Sequence, residues 1–454
     1  MMVFMSKPIA SLILAERSVP RYTSYPTAPH FSNAVDAKVA AQWLRDVPGS
    51  ASLSLYLHVP FCSAICNYCG CNTKAVRKEE PLDEYTETLL REIALMAEAT
   101  PARRVTDLHW GGGTPSLLGP ERLLRLWTRV SACFDISPAV EHSIELDPRT
   151  VDQALVEGLA RAGVTRASLG VQDLNHHVQV AIGRVQPFEI VAEAVRLLRS
   201  VGIEAINLDL MYGLPHQSEA DVRKTAELAA SLNPSRLAIF GYAHVPWFKV
   251  HQKLIDTAAL PGAAERIAQA DVARETLVQQ GFEVIGLDHF ARPDDPMAIA
   301  ARSGALRRNF QGYTTDQAEA LLPLGASSIG RLPQGYVQNA SDVAGWRRAI
   351  NAGKLAVVRG VAFSDEDRAR AAAIERLMCD FSVDYGMIAQ AYLGRLEALD
   401  DADETLQGLV ADGVVEVDGR LVTITEAGKP FMRLAAAAFD SYLKAGTARH
   451  SVAV

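Results

Sequence analysis

From Ser52 onward the chain alternates between short apolar runs and amphipathic stretches. Runs of four to eight apolar residues bounded by turn residues predict buried strands, whereas apolar positions recurring every three to four residues predict helices. Strands are predicted at 52–59, 105–110, 142–146, 166–171, 205–211 and 236–242, and helices at 82–97, 121–130, 151–162, 188–201, 219–231 and 262–280. Strands separated by helices pair in parallel through right-handed crossovers. Six such units predict an α/β fold, a full or partial (β/α)6 barrel.

The flanks break this rhythm. Pro20–Ala28 holds two prolines and two tyrosines, which predicts an extended arm lying on the main domain or closing over a pocket. After Gly281, His289–Asp295 is predicted as a turn, Arg308–Thr315 as a polar–aromatic loop, and Leu324–Gly330 as flexible backbone able to lie near a ligand. From about Ala362 the pattern is helical, followed by a hairpin at 414–425 around Asp418-Gly419. This helix–hairpin order resembles a winged helix. The division expected is an arm (1–50), a catalytic barrel with substrate loops (51–350) and a helical C-terminal domain (351–454).

Composition narrows the function classes. A net charge of −8 argues against broad attraction to nucleic acid or an anionic membrane. No run approaches the roughly 18–20 apolar residues of a spanning helix. Met1–Leu14 is interrupted by Lys7 and Pro8 and is expected to be an ordinary leader or docking segment rather than a secretory signal. Four of six cysteines crowd into Cys62–Cys71, which suits a reducing, cytoplasmic setting better than a disulfide framework.

Cys62, Cys66 and Cys69 have C-x3-C-x2-C spacing at the end of the first strand, with Cys71 two positions on. Thiolates this close can converge on a metal or an iron–sulfur centre. Three thiolates for four irons would leave one iron open to a small molecule. Zinc, with His58 as fourth ligand, is the alternative; Cys133 and Cys379 are isolated and supply no second pair. Gly111–Gly113, Glu145, Gln172 and Asp209 fall at strand ends, the edge where α/β barrels build sites. Taken singly, each has an ordinary alternative: a tight turn, helix caps, or a core amide.

The motif, with Tyr68 before its third cysteine, resembles the radical S-adenosylmethionine superfamily. Pro20–Ala28, Tyr56–Cys71, Trp110–Pro115, Glu145–Pro148, Gly170–Asp173, Tyr212–Pro215, His289–Asp295 and Asn309–Thr315 together resemble the oxygen-independent coproporphyrinogen III oxidases over nearly the whole chain. The resemblance implies a partial TIM-like radical SAM barrel with an N-terminal arm and a winged-helix-like C-terminal domain. It implies a [4Fe–4S] cluster on Cys62, Cys66 and Cys69, and two S-adenosylmethionine molecules. Tyr56, Tyr68, Gly112, Glu145 and the Ile329 backbone match the first; Gly113, Thr114, Gln172, Arg184, Asp209 and Ala243 match the second. Cys71, His58 and Glu145 are the expected catalytic residues, Cys71 as a required thiol outside the cluster and His58 tuning or shielding it, with simple packing as the alternative for His58.

The implied reaction converts two propionates of coproporphyrinogen III into vinyl groups. Its implied partners are that substrate and an unidentified electron donor and acceptor, with no nucleic acid and no membrane, the protein acting as a monomer. Arg21, Arg292 and Arg308 are candidates for holding propionates. The rivals are a haem chaperone, whose kind typically lacks the arm and Cys71, a haem-degrading radical enzyme, and a zinc-dependent nucleic-acid binder.

Overall fold

The computed structural model describes residues 12–443. All six predicted strands form: β1 (Ser52–Val59), β2 (Arg104–Gly112), β3 (Asp135–Leu146), β4 (Arg166–Gln172), β5 (Ala205–Tyr212) and β6 (Arg236–Gly241). They pair in parallel in that order. The crossover helices are α1 (Glu80–Ala99), α2 (Gly119–Cys133), α3 (Gln153–Arg161), α4 (Phe188–Ser200) and α5 (Glu219–Ser231), and α6 (Ala263–Gln279) follows β6. Period-2 alternation divides each strand between two faces. In β5, Ile206, Leu208 and Leu210 enter the main core, while Asn207 and Asp209 hydrogen-bond each other on the other, concave face.

The arc does not close. Beyond β6 lie the antiparallel β8 (His289–Ala291) and β7 (Glu283–Ile285). On the other side, β9 (Ala320–Leu324) runs parallel to β1, then β10 (Ile329–Leu332), β11 (Gly335–Asn339) and β12 (Val357–Ala362) extend the sheet antiparallel to twelve strands. The 289–295 stretch thus contains a buried strand rather than a turn alone, and the polar–aromatic loop is a hairpin of Arg307–Asn309 and Gly312–Thr314.

Leu324–Gly330, expected to be flexible, is pinned instead. Gly325 turns at φ +94°, and an added Cβ would stand 2.4 Å from the His58 carbonyl. Its N–H donates to the buried Glu92 carboxylate at 2.6 Å, whose other oxygen accepts from Asn339 at 2.7 Å. Glu92 is 233 residues from Gly325, so nothing in the local sequence signals this restraint.

At the C-terminus, α7 (Asp365–Asp380), α8 (Tyr385–Leu393) and α9 (Asp403–Ala411) pack with a three-stranded sheet of β13 (Ser382–Asp384), β14 (Val415–Asp418) and β15 (Leu421–Ile424). Their separate core also takes in Val19, Tyr22 and Tyr25 of the arm. Tyr22 Oη donates to Asp440 at 3.0 Å and Tyr25 Oη lies 3.0 Å from Ser441 Oγ. The arm is therefore fastened to the C-terminal unit, while Arg21 reaches back to the Gly241 carbonyl at 2.9 Å. No described helix is long and apolar enough to cross a membrane.

Candidate active site

The cysteine loop leaves β1 at the C-terminal edge. Phe61–Cys62 pairs with Lys74–Ala75 and closes the loop at its base. The N–H groups of Gly113 and Thr114, just past β2, donate to the carbonyls of Val59 and Phe61 at 2.9 and 2.7 Å. A Cβ on Gly113 would come within 2.5 Å of the Phe61 carbonyl, so this close approach requires glycine. From the far side, Lys249, His251 and Gln252 donate to the carbonyls of Cys71, Cys69 and Tyr68 at 2.8, 2.7 and 2.8 Å. The loop is held from both sides before any ligand is considered.

Donors surround the thiols. Thr114 Oγ1 donates to Cys62 Sγ at 3.4 Å, and Thr73 Oγ1 lies 3.2 Å from the same sulfur. Arg184 Nη1 reaches Cys66 Sγ at 3.6 Å, and the Cys71 N–H reaches Cys69 Sγ at 3.4 Å. Burial pushes the Cys62 thiol up. The Cys71 thiol and N–H, with His251 and Lys249 nearby, bring Cys69 down to about 6 despite desolvation. Cys66 is buried, Cys62 and Cys69 are half-buried and Cys71 is exposed. Among the described residues, no three His, Cys, Asp or Glu side chains close on the position of a single metal ion.

His58 is buried, and both its ring nitrogens are engaged. Nε2 meets the Asn72 carbonyl at 3.2 Å and must carry the proton; Nδ1 then accepts from Tyr56 Oη at 3.1 Å. Burial lowers its pKa, so the ring is neutral. It is not placed as a fourth metal ligand.

Beside it, Glu145 at the end of β3 accepts from the Gly112 N–H at 3.0 Å and meets His109 Nε2 at 3.1 Å. Desolvation would raise this carboxyl, but His109 and the Gly112 N–H hold it below its ordinary value. Gly112 has φ +113°, and a Cβ there would strike the His58 ring at 2.5 Å. Tyr56 stacks on His109 with centroids 5.8 Å apart. Ile329 opens β10 just past the pinned Gly325 turn, in register with Gln338.

Farther round the arc, Gln172 has φ +68° at the end of β4, so its side chain folds back over Gly170. Asp209 accepts from Ser168 and Asn207, both at 2.9 Å, and burial raises its pKa. Ala243 offers its carbonyl to Gln252 at 3.3 Å. Arg184 lies just past the end of a helix rather than on it. It is buried in the loop after His176–Ala181, bonded to Asp147 at 3.3 Å and the Gly170 carbonyl at 2.7 Å, with Nε left unpartnered.

The sequence reading missed several parts of this assembly. His109 sits two residues before the glycine triplet on the same face as Tyr56, a position its alternation could have flagged. Lys249, His251 and Gln252 gave no signal, because they meet the cysteine loop across 178 to 184 residues of chain. One proposed residue is excluded. Arg292 lies at the opposite end of β6, stacked 3.9 Å over Phe282 and bonded to the Gln280 carbonyl and Asn233.

A three-cysteine loop on the first strand of an open parallel arc defines the radical SAM class, and the radical SAM superfamily model matches residues 56–229. The chain is 48% identical to the oxygen-independent coproporphyrinogen III oxidase of Bradyrhizobium diazoefficiens, covering 97% of this chain and 98% of that one. It is 42% identical to the enzyme of the same name from Paracoccus denitrificans, over 97% and 98% of the two chains. The solved coproporphyrinogen III oxidase of Escherichia coli superposes with a TM-score of 0.89 at 37% identity, over 93% and 97%. The chain belongs to the oxygen-independent coproporphyrinogen III oxidase family. Membership brings a [4Fe–4S] cluster and S-adenosylmethionine. The residues present fit that pair: three thiols on a pinned loop with N–H, O–H and guanidinium donors around them, and an ionised carboxylate with glycine backbone alongside.

Proposed function

We propose that this chain carries out the oxygen-independent oxidative decarboxylation of two propionate side chains of coproporphyrinogen III, giving protoporphyrinogen IX. Each propionate loses a hydrogen atom from its β-carbon, then carbon dioxide and one electron, and becomes a vinyl group. The observation that carries this reading is the pinned Cys62–Cys71 loop beside Glu145 and Gly112, in a chain alike from end to end to proteins named for that reaction.

Cys62, Cys66 and Cys69 would hold the cluster. When bound, the cluster and S-adenosylmethionine supply the 5′-deoxyadenosyl radical that takes the hydrogen atom. The protein's share is binding and orientation. Glu145 stays ionised and keeps lone pairs for an amino or hydroxyl donor, and Gly112 lets ligand and backbone meet. Tyr56, Tyr68 and the Ile329 backbone are assigned to the same S-adenosylmethionine. His58, neutral and doubly bonded, positions the loop rather than shuttling protons. Cys71 contributes its N–H to Cys69, and its exposed thiol is assigned to the substrate side.

A second S-adenosylmethionine is assigned to Gly113, Thr114, Gln172, Arg184, Asp209 and Ala243. The buried, unpartnered Nε of Arg184 supports it as a donor left over for a carboxylate. The enzyme is read as a cytoplasmic monomer that draws on an external electron donor and acceptor.

The test is anaerobic. Reconstituted protein receives S-adenosylmethionine, a reductant and coproporphyrinogen III, and products are followed by chromatography. Mono- and divinyl products are expected; cofactor cleavage without any vinyl product would overturn the reading.

A further inference from the structure

We infer that the cavity between β9, β10, the 307–314 hairpin and α7 docks the carboxylates of the tetrapyrrole through Arg308, Arg331 and Arg368. This rests on the proposed function and specifies how the substrate is held. The cavity measures about 490 Å³ and is roofed by Tyr22 and Tyr25 of the arm. It lies on the concave face of the sheet, the face that carries Tyr56. Leu321, on its floor, lies two residues before Pro323, which is in register with Tyr56, so all three point the same way.

Its walls suit pyrrole rings. Phe310 and Phe363 both meet Tyr336 edge-to-face, with centroids 5.5 and 5.0 Å apart. Its charges are unevenly committed. Of the five lining arginines, Arg307 pairs with Glu375 at 3.0 Å and Arg376 with Asp380 at 2.7 Å. The lining acids are occupied as well. Glu319 accepts from the Ser52 N–H at 2.8 Å, Asp316 from the Ala318 N–H at 2.7 Å and Asp367 from Tyr442 at 2.9 Å.

Arg308, Arg331 and Arg368 form no ion pair among the described residues. Arg308 gives Nη2 to the Arg21 carbonyl at 3.2 Å and stacks 4.4 Å over Tyr313, while its Nε and Nη1 are buried without partners. Arg368 lies 5.3 Å over the Phe363 ring. A buried guanidinium edge without an acceptor needs one from elsewhere, and a carboxylate matches its fork. Arg308 is such a group, and with the half-buried Arg368 and the exposed Arg331, neither of them ion-paired among the described residues, it places three guanidinium groups on three separate elements, which fits carboxylates spread around a macrocycle. Fixing the propionates that do not react orients the two that do.

The experiment titrates reconstituted protein with coproporphyrin III, the stable oxidised tetracarboxylate, and with its tetramethyl ester, following porphyrin fluorescence. Replacing Arg308, Arg331 or Arg368 by Gln is expected to weaken coproporphyrin III binding about tenfold each, and the triple variant at least 100-fold, with the ester unaffected. Visible iron–sulfur absorption and melting temperature report folding, and Arg331→Gln, on an exposed strand position, serves as the variant least able to disturb it. Wild-type binding matched within twofold by the triple variant would overturn the arginine assignment alone. Failure of wild-type protein to bind coproporphyrin III would overturn the functional reading with it.

Discussion

The two ends of the same six strands hold buried charge in different ways. At the N-terminal end, Arg166 and Arg236 begin β4 and β6 and face Asp295 and Glu141. Arg236 Nε meets Asp295 at 2.7 Å, Arg166 lies 3.6 Å from the same carboxylate, and Glu141 stands 3.4 and 3.9 Å from the two arginines. There, side chain answers side chain, two cations against two anions. At the C-terminal end backbone groups share the task with side chains: Gly112 N–H joins His109 on Glu145, Cys71 N–H reaches Cys69, and the Gly170 carbonyl joins Asp147 on Arg184. A charge held by backbone keeps one side open. Burial of charge alone therefore does not mark a site; the kind of partner does.

The sharpest break of this contrast is at the open end. Cys62→Ala removes one thiolate of the loop and is expected to abolish both visible iron–sulfur absorption and vinyl formation, while melting temperature falls little. Anaerobic spectra and chromatography check it, and retained absorption would refute the assignment of Cys62.

At the closed end the effect should fall on stability instead. Asp295→Ala leaves Arg166 and Arg236 facing Glu141 alone, and removing one partner of a buried pair costs about 3–5 kcal/mol. Asp295 also caps the Pro296–Arg302 helix through the Met297 N–H at 2.7 Å, which adds to the loss. Denaturant unfolding should show the drop, with turnover per folded, cluster-loaded molecule unchanged. A specific loss of turnover would mean that the two ends are coupled.

The same contrast explains what was legible in the sequence. The strands and helices of the arc follow from apolar period, and the cysteine spacing named the chemistry because all three thiols lie on one short loop. Glu145 and Asp209 were visible as polar residues ending apolar strands. Arg184 and Arg292 were not separable by sequence: both are arginines in polar connections, yet one is buried against Cys66 and the other stacks on Phe282 at the far end. The grip of Lys249, His251 and Gln252, and of Glu92 on Gly325, depends on contacts between segments far apart in the chain. So does β9, whose five residues join the sheet only because β1 presents an edge to them.

Glu92 sets a pH dependence between the two ends. Burial pushes its carboxyl from 4.5 up to about 7, against the N–H groups of Gly325 and Asn339 that favour ionisation. A folded-state value above the unfolded one means that the native state holds the proton longer. Its stabilisation is complete below pH 4.5 and is lost as pH rises through 7, up to about 3 kcal/mol at about 1.4 kcal/mol per pH unit. Melting temperatures of wild type and Glu92→Gln between pH 5 and 8 should diverge in slope, the variant being flatter. Parallel slopes would show that Glu92 is ionised throughout.

The smallest expected effect tests whether the open end is kept open by backbone shape. Gly112→Ala must hold an L residue at φ +113° and seat a methyl 2.5 Å from the His58 ring, so either His58 or the Gly112 turn must shift. Strain of this kind costs about 1–3 kcal/mol, some of which relaxation of the half-buried rim should relieve. Stability should therefore fall by about 1–2 kcal/mol, with the cluster retained. S-adenosylmethionine affinity should weaken about tenfold, because the Gly112 N–H would no longer meet Glu145 at 3.0 Å and the carboxylate would lose its fixed orientation. Equilibrium binding to reconstituted protein measures it. Unchanged affinity alongside lowered stability would assign the glycine to the fold alone, and the two ends of the barrel would then differ in partners but not in purpose.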